Sequence, residues 1–329
     1  MRALILVLLL LAACTPADED RVARGASGGG VLGGLFGSDT GQDCDLHVVA
    51  QLPIEVQDRL LTVPVGLNHK WVRLIVDSGA ERTTVSESAA RRLGLKEDPT
   101  HRTTSTGIGG TATHSDVLLD HFYLGGTNFT PEVHRIQVGT LNFAGVPGLT
   151  AEGLLGADIL LAFEMDIDVP HNRLTLYRVR RCADAKPNWD EPAVEVTGIS
   201  SRKDRMLIPF SLDGIGGKAV LDTGAQGSVI GVEMARRLGL TEESMATDPI
   251  VSHRGGGPGV LQTHRHQFRD LRIGPAVMAM PALSVLPTPA GVGDALVGED
   301  FLQGRRVWLS FPTRRLFVSP REHEVAVAR

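Results

Sequence analysis

Two short segments of this sequence carry residues that can do chemistry: Asp77-Ser78-Gly79-Ala80 and Asp222-Thr223-Gly224-Ala225. Each sets one carboxyl group on a turn of small residues behind an apolar run. Two carboxyl groups held a few Å apart cannot both ionise easily, so they share a proton. The ionised member can take a proton from water while the protonated member polarises a carbonyl group. That pairing hydrolyses an amide with neither a metal nor a covalent nucleophile. Gly79 and Gly224 permit a tight turn and close backbone approach. Asp before Gly is ordinary turn chemistry when it stands alone; the matched pair is what points to catalysis. Other candidates are weaker. His264 and His266 alternate along one candidate strand, with no further His or Cys cluster beside them, and His114, His121 and His134 are scattered. No metal and no cofactor are expected. No Ser-His-Asp arrangement and no G-x-x-x-x-G-K-[ST] phosphate loop is legible.

The elements that must position the two Asp residues are themselves duplicated. Residues 61–95 align with residues 206–240 without gaps at an offset of 145. Pro64 meets Pro209, Asp77 meets Asp222, and the segment 90–95 recurs as 235–240. In both copies a β-rich run (71–76; 219–221) enters the Asp turn, and a second β-branched run (83–85; 228–230) leaves it. A short helix then ends at Gly94 or Gly239, a position that favours glycine. The Ala-Arg-Arg-Leu-Gly-Leu in each helix reads as a solvated face. Each copy continues with a Gly-rich turn (106–110; 255–259) and strands ending in Leu124-Gly125 or Ile273-Gly274. Then comes an apolar pair before a late Gly: Leu154-Leu155-Gly156-Ala157-Asp158 and Leu296-Val297-Gly298-Glu299-Asp300. Each closes on a strand pair containing Pro170 or Pro312. Asp158 and Asp300 read as loop or helix-cap residues.

Composition bounds the rest. The 329 residues are 42 % hydrophobic, enough for a sizeable core, and at ~150 residues per domain the length allows about two domains. A net charge of −5 argues against a nucleic-acid binder. Three Cys exclude a disulfide-dense scaffold. Aromatic residues are only 5 %, so the core must be mainly aliphatic.

The repeated pattern resembles aspartic peptidases of the retropepsin-like and pepsin-like group, over about residues 60–180 and 205–320. The resemblance implies an all-β fold, mainly β with short helices. It implies a bilobal acid-protease fold of two retropepsin-like lobes related by a pseudo-twofold, fused in one chain. It implies that Asp77 and Asp222 are catalytic and that Ser78 and Thr223 brace their loops against each other. Gly79, Ala80, Gly224 and Ala225 would complete those loops. Leu155-Gly156 and Val297-Gly298 would lie behind them. Gly107, Ile108, Gly109 and Gly110 would form a flap over an extended peptide or unfolded protein substrate, with Gly256 and Gly257 in a second flap. The chain departs from the pattern in several places. Neither flap has the Tyr of pepsins, and Pro258 has no N–H to donate, so substrate would be gripped from one side. The retropepsin Arg–Asp pair is missing: Glu81 and Gln226 stand for the Asp, Ala157 and Glu299 for the Arg. Ala80 and Ala225 offer the charged pair no hydroxyl, which raises its pKa and implies an optimum of roughly pH 4.5–6.

Residues 1–14 read as an export signal: one Arg, an apolar run too short to span a bilayer, small residues, then Cys14. The end, Leu11-Ala12-Ala13-Cys14, resembles a bacterial lipobox, which implies cleavage before Cys14 and its lipidation. The alternative is an ordinary signal peptide that happens to contain Cys. Thr15, with no Asp in its place, implies an outer-membrane anchor facing the periplasm. The expected organisation is signal peptide 1–13, lipidated Cys and Gly-rich tether 14–43, first lobe 44–182, linker 183–204, second lobe 205–320 and tail 321–329. With Cys14 lipidated, Cys44 and Cys182 remain to pair in an oxidising compartment. The expected protein is a monomeric, lipid-anchored aspartic endopeptidase of the bacterial envelope that binds no nucleic acid. Two alternatives stand: a catalytically silent peptide-binding lipoprotein of the same fold, and a purely structural envelope lipoprotein.

Overall fold

The computed structural model describes residues 4–6, 11–12, 45–130, 133–143, 146–180, 185–202, 205–287 and 293–321. Cys14, Cys44 and Cys182, and with them the lipidation and disulfide expectations, lie outside those residues. Most of the described chain is strand, with four short helices. No described helix is long and apolar enough to cross a membrane.

The two copies fold alike, and the reason is visible in their registers. In the first, Lys70–Val76 runs parallel to Gly153–Leu155, which pairs antiparallel with Thr84–Ser86; Thr84–Ser86 in turn runs parallel to Arg135–Gly139. In the second, Ile215–Leu221, Ala295–Val297, Val229–Gly231 and Ala282–Leu286 repeat those pairings in the same senses. The short late strand is thus sandwiched between the run that enters the Asp turn and the run that leaves it. Buried on both faces, it is apolar throughout, as such strands are. The helix Glu87–Leu93 that follows is capped by Ser86, whose Oγ accepts from the Ala89 N–H at 3.1 Å, and it stops at Gly94 in the left-handed conformation.

A third sheet joins the copies. Its order is Val194–Val196, Arg315–Val318, Arg306–Ser310, Glu164–Asp168, Arg173–Arg180, Asp45–Pro53. At its centre Glu164–Asp168 pairs antiparallel with Arg306–Ser310, one strand from each copy, in equivalent positions. Trp308 is buried there; its Nε1–H donates to Glu164 at 3.0 Å and its ring stacks on Tyr177. The stretch expected as linker contributes two short strands, Val194–Val196 to this sheet and Ser200–Arg202 to the second copy. One aliphatic core runs continuously through both copies, as the scarcity of aromatics requires.

Two hairpins project over the junction. The first is Lys96–Gly107 with Gly110–Leu118, closed at Gly107 and Gly110. The second is Ile250–Arg254 with Leu261–Gln267. Their free edges take short segments from the chain's beginning: Leu11–Ala12 pairs with Ser105 and Thr106, and Leu4–Leu6 with Ser252–Arg254.

Candidate active site

The two Asp turns meet back to back at the pseudo-twofold axis. The Asp77 N–H donates to the Leu155 carbonyl and the Asp222 N–H to the Val297 carbonyl, both at 2.9 Å, so each late strand fixes its own turn. Ser78 and Thr223 then lock the turns together. The Ser78 N–H donates to Thr223 Oγ1 at 3.0 Å, and the Thr223 N–H to Ser78 Oγ at 3.1 Å. Each hydroxyl reaches across to a carbonyl of the opposite copy: Ser78 Oγ donates to Leu221 and Thr223 Oγ1 to Val76, both at 2.7 Å.

This brace leaves no room beside the carboxyl groups. A Cβ on Gly79 would lie 2.6 Å from both Asp222 oxygens, and one on Gly224 would crowd Asp77 equally. The structure therefore needs glycine at both places for close approach, not for a left-handed backbone. Gly156 and Gly298 are equally constrained, against the backbone of Arg82 and of Ala225.

Asp77 and Asp222 are fully buried. Asp77 Oδ1 accepts from the Gly79 and Ala80 N–H groups at 3.0 and 2.8 Å, and Asp222 Oδ1 accepts from Gly224 at 2.9 Å. Both Oδ2 atoms are buried and take no donor from outside the pair, which leaves them to each other. Each acid is thus held by one oxygen and presents the other. Burial raises the pKa of both. For Asp77 the neighbouring Asp222 charge adds to burial, and the Gly79 and Ala80 N–H groups only partly offset it. Asp222 is pushed up to about 7, with the Gly224 N–H, Asp77 and Arg205 opposing burial. Ala80 and Ala225 are buried and offer no hydroxyl, so nothing further stabilises the charge.

The flap residues come together more tightly than expected. The Gly109 N–H donates to the Gly256 carbonyl at 2.9 Å, and the Gly259 N–H donates to Gly109 at 2.7 Å. Gly257 has φ +97° and donates to the Thr140 carbonyl at 2.9 Å. Ile108 packs on an apolar cluster of the second copy that includes Leu207, Val220, Ala225 and Leu296. The glycines flanking Pro258 donate their N–H groups within the protein, Gly257 to Thr140 and Gly259 to Gly109, so the first turn is bonded to the second there. The two Gly-rich turns therefore meet each other glycine on glycine.

Sequence reasoning missed the bonds that hold the copies together beneath the turns. Glu81, the residue after Ala80, reaches across to Arg205, 2.9 Å from its carboxylate; Arg205 is 3 % exposed. The equivalent place beside the other turn holds Gln226, whose Nε2 donates to the Asp58 carbonyl and carboxylate at 2.7 and 2.8 Å. The Arg–Asp pair expected to be missing is thus replaced by a pair between copies on one side and an amide clasp on the other. Breaking the buried ion pair with Glu81→Gln or Arg205→Met should cost about 3–5 kcal/mol. Urea unfolding of both single variants and the double variant measures it, and the double variant should lose far less than the two singles summed. Arg205→Met should also move the acid limb of activity upward, because it removes a cation that favours ionised Asp222.

A second repeated device fixes the segments leaving the turns. Thr83 donates from its N–H and its hydroxyl to Asp158, both at 2.8 Å, and Ser228 donates likewise to Asp300 at 2.9 and 2.6 Å. The same hydroxyls accept from the N–H groups of Gly156 and Gly298 at 3.0 Å. The repeated hydroxyl six residues after each Asp was the available signal. His266 forms a half-buried pair with Asp248 at 2.7 Å, and no cluster able to hold a metal occurs among the described residues.

Comparison with known proteins bears on the same elements. In fold, the chain is similar to the crystal structure of the aspartic proteinase from Irpex lacteus, at a TM-score of 0.50 over 85 % of this chain and 99 % of that one. Identity is 16 %, so the likeness is one of fold. No curated protein matches the sequence. The pattern described for aspartyl proteases matches residues 63–159 and again residues 208–301, one match around each Asp turn. With more than half of its length in these two matches, the chain belongs to the aspartyl protease family.

Proposed function

We propose that this protein is an aspartic endopeptidase that cleaves peptide bonds with a water activated between Asp77 and Asp222. The observation that carries the proposal is the buried acid pair, each member anchored through Oδ1 and presenting Oδ2. Burial and mutual repulsion keep one proton on the pair. The ionised oxygen takes a proton from water as the water attacks the carbonyl carbon, while the other acid gives its proton to the carbonyl oxygen. The pair then returns a proton to the leaving nitrogen as the C–N bond breaks. The Ser78–Thr223 brace holds both acids still, so little reorganisation is needed. Closure of the flaps over a bound substrate would exclude water that screens these interactions.

The substrate is an extended peptide or unfolded protein, added as a strand along the flap edges. Support comes from Ser105, Thr106 and Ser252–Arg254, edges that take short segments of the chain itself. One chain supplies both acids, which supports a monomer. The export signal, the lipobox-like Cys14 and the Gly-rich tether support a lipid-anchored enzyme at the periplasmic face of a bacterial outer membrane.

The test is cleavage of a denatured protein and a peptide library across pH 3–8, with and without pepstatin. Cleavage that pepstatin blocks is expected. Binding of peptides without cleavage at any pH would instead favour a silent peptide-binding protein. The pH profile is itself diagnostic. The working form has one proton on the pair, and burial lifts the first ionisation. The acid limb of kcat/KM should therefore lie between about pH 4.5 and 7. A maximum below pH 3 would contradict the buried pair.

A further inference from the structure

Glu299 follows the late glycine of the second copy, where the first copy has Ala157. Both residues sit against an Asp turn in the same way. The Ala157 N–H donates to the Ala80 carbonyl and the Glu299 N–H to the Ala225 carbonyl, each at 2.8 Å. A methyl group on one side is thus matched by a carboxyl group on the other. Glu299 is 1 % exposed, and its Oε1 is buried with no hydrogen-bond partner.

The charged groups that face it are acids. Asp222 lies on the turn it packs against and Asp300 on its own short helix, Glu299–Leu302. Asp300 is occupied by the Ser228 N–H and hydroxyl. Arg205, the cation that acts on Asp222, is paired with Glu81. Burial first, then repulsion from Asp300 and Asp222, holds the Glu299 carboxyl well above the usual carboxylate range.

We propose that Glu299 is a positioning residue for the acid pair, uncharged in the working enzyme, and that its ionisation sets the upper pH boundary of activity. The proposal rests on the peptidase reading above. A neutral carboxyl group is tolerated at this place. A charged one without a partner is not, and relief comes from swinging it to water. That motion pulls on the segment 298–302 and on the bond to Ala225, so the Asp222 turn loses its support. Ala157 undergoes no such transition, so the effect is confined to the second copy.

Glu299→Gln keeps the shape and removes the titration. In the full chain, purified in detergent, kcat is measured against pH on the best-cleaved library peptide, and thermal unfolding is followed over the same range. The expected result is an alkaline limb moved up by about one pH unit, giving roughly tenfold more activity there. The acid limb should stay in place, and the alkaline fall in Tm should move with the activity. Glu299→Ala should show the same shift should the Gln variant misfold. An unmoved limb in both variants overturns the proposal, since a merely structural role would change amplitude and not its pH dependence. Failure of the peptidase reading would show as no cleavage by the unaltered protein. In that event parallel Tm–pH curves for the unaltered and Gln proteins overturn the Glu299 proposal on their own.

Discussion

Asp77→Asn and Asp222→Asn should each lower kcat about 10⁴-fold while leaving the fold and peptide binding intact. The pair acts as one unit: whichever acid is lost, the other has no partner to share the proton with. The double variant should therefore be scarcely worse than either single variant. Single-turnover cleavage of a library peptide, beside a binding measurement, separates the lost chemistry from the lost fold. Stability should move the other way. The unfolded chain ionises these acids near pH 4, whereas burial holds the folded pair in its protonated form to higher pH. Folding therefore takes up protons above pH 4, and the stability present in acid is lost as pH rises toward the folded values. An Asn variant escapes the part of that loss that comes from its own acid and from repulsion within the pair, so it should melt at a higher temperature than the unaltered protein at pH 7 and at nearly the same temperature at pH 3. An Asn variant that retains activity, or one less stable at pH 7, would contradict the buried acid pair.

The second large effect belongs to glycine. Gly224→Ala should abolish activity and destabilise the protein by about 1–3 kcal/mol or more. The new methyl group would lie 2.6 Å from an Asp77 oxygen, against a brace of four hydrogen bonds between the turns. Something must give: the carboxyl group leaves its position, or the turns separate and the brace opens. Gly79→Ala should behave the same way against Asp222. Gly216→Ala is the control, because it lies on the strand leading into the same turn, and a Cβ there meets nothing nearer than 4.0 Å. Urea unfolding and kcat should leave Gly216→Ala near the unaltered protein. Equal behaviour of Gly216→Ala and Gly224→Ala would mean that backbone freedom, rather than space beside the acids, is what these positions need.

Much of this was legible before folding was considered. The duplicated Asp turn, the late apolar pair with its glycine and the flap glycines recur at regular spacing, and local spacing is what a sequence records. The repeat foretold two copies of one lobe, and small residues around each acid foretold crowding. Trp71–Val76 and Thr83–Val85 were legible as runs, and they form the strands on either side of the first turn. The sharing of one sheet by both copies was less legible, because Glu164–Asp168 and Arg306–Ser310 each read locally as half of a terminal hairpin.

The sequence by itself determined which residues form the acid pair, because the Asp turns, their glycines and their supporting strands are built from neighbours along the chain or from one repeat. Only the tertiary structure decided how the two copies differ in use. Arg205 stands where the first copy has Leu60, Gln226 where it has Glu81, and Glu299 where it has Ala157. Each departure acquires its meaning from a group near it in space rather than in the chain: Glu81 across the axis, Asp58 across the axis, and the Asp222 turn. The flaps meet for the same reason, since Gly109 and Gly256 are 147 residues apart and touch only when both lobes are assembled. Spacing along a chain specifies turns and strands. Burial and charge at a shared interface depend on which surfaces the pseudo-twofold axis brings together.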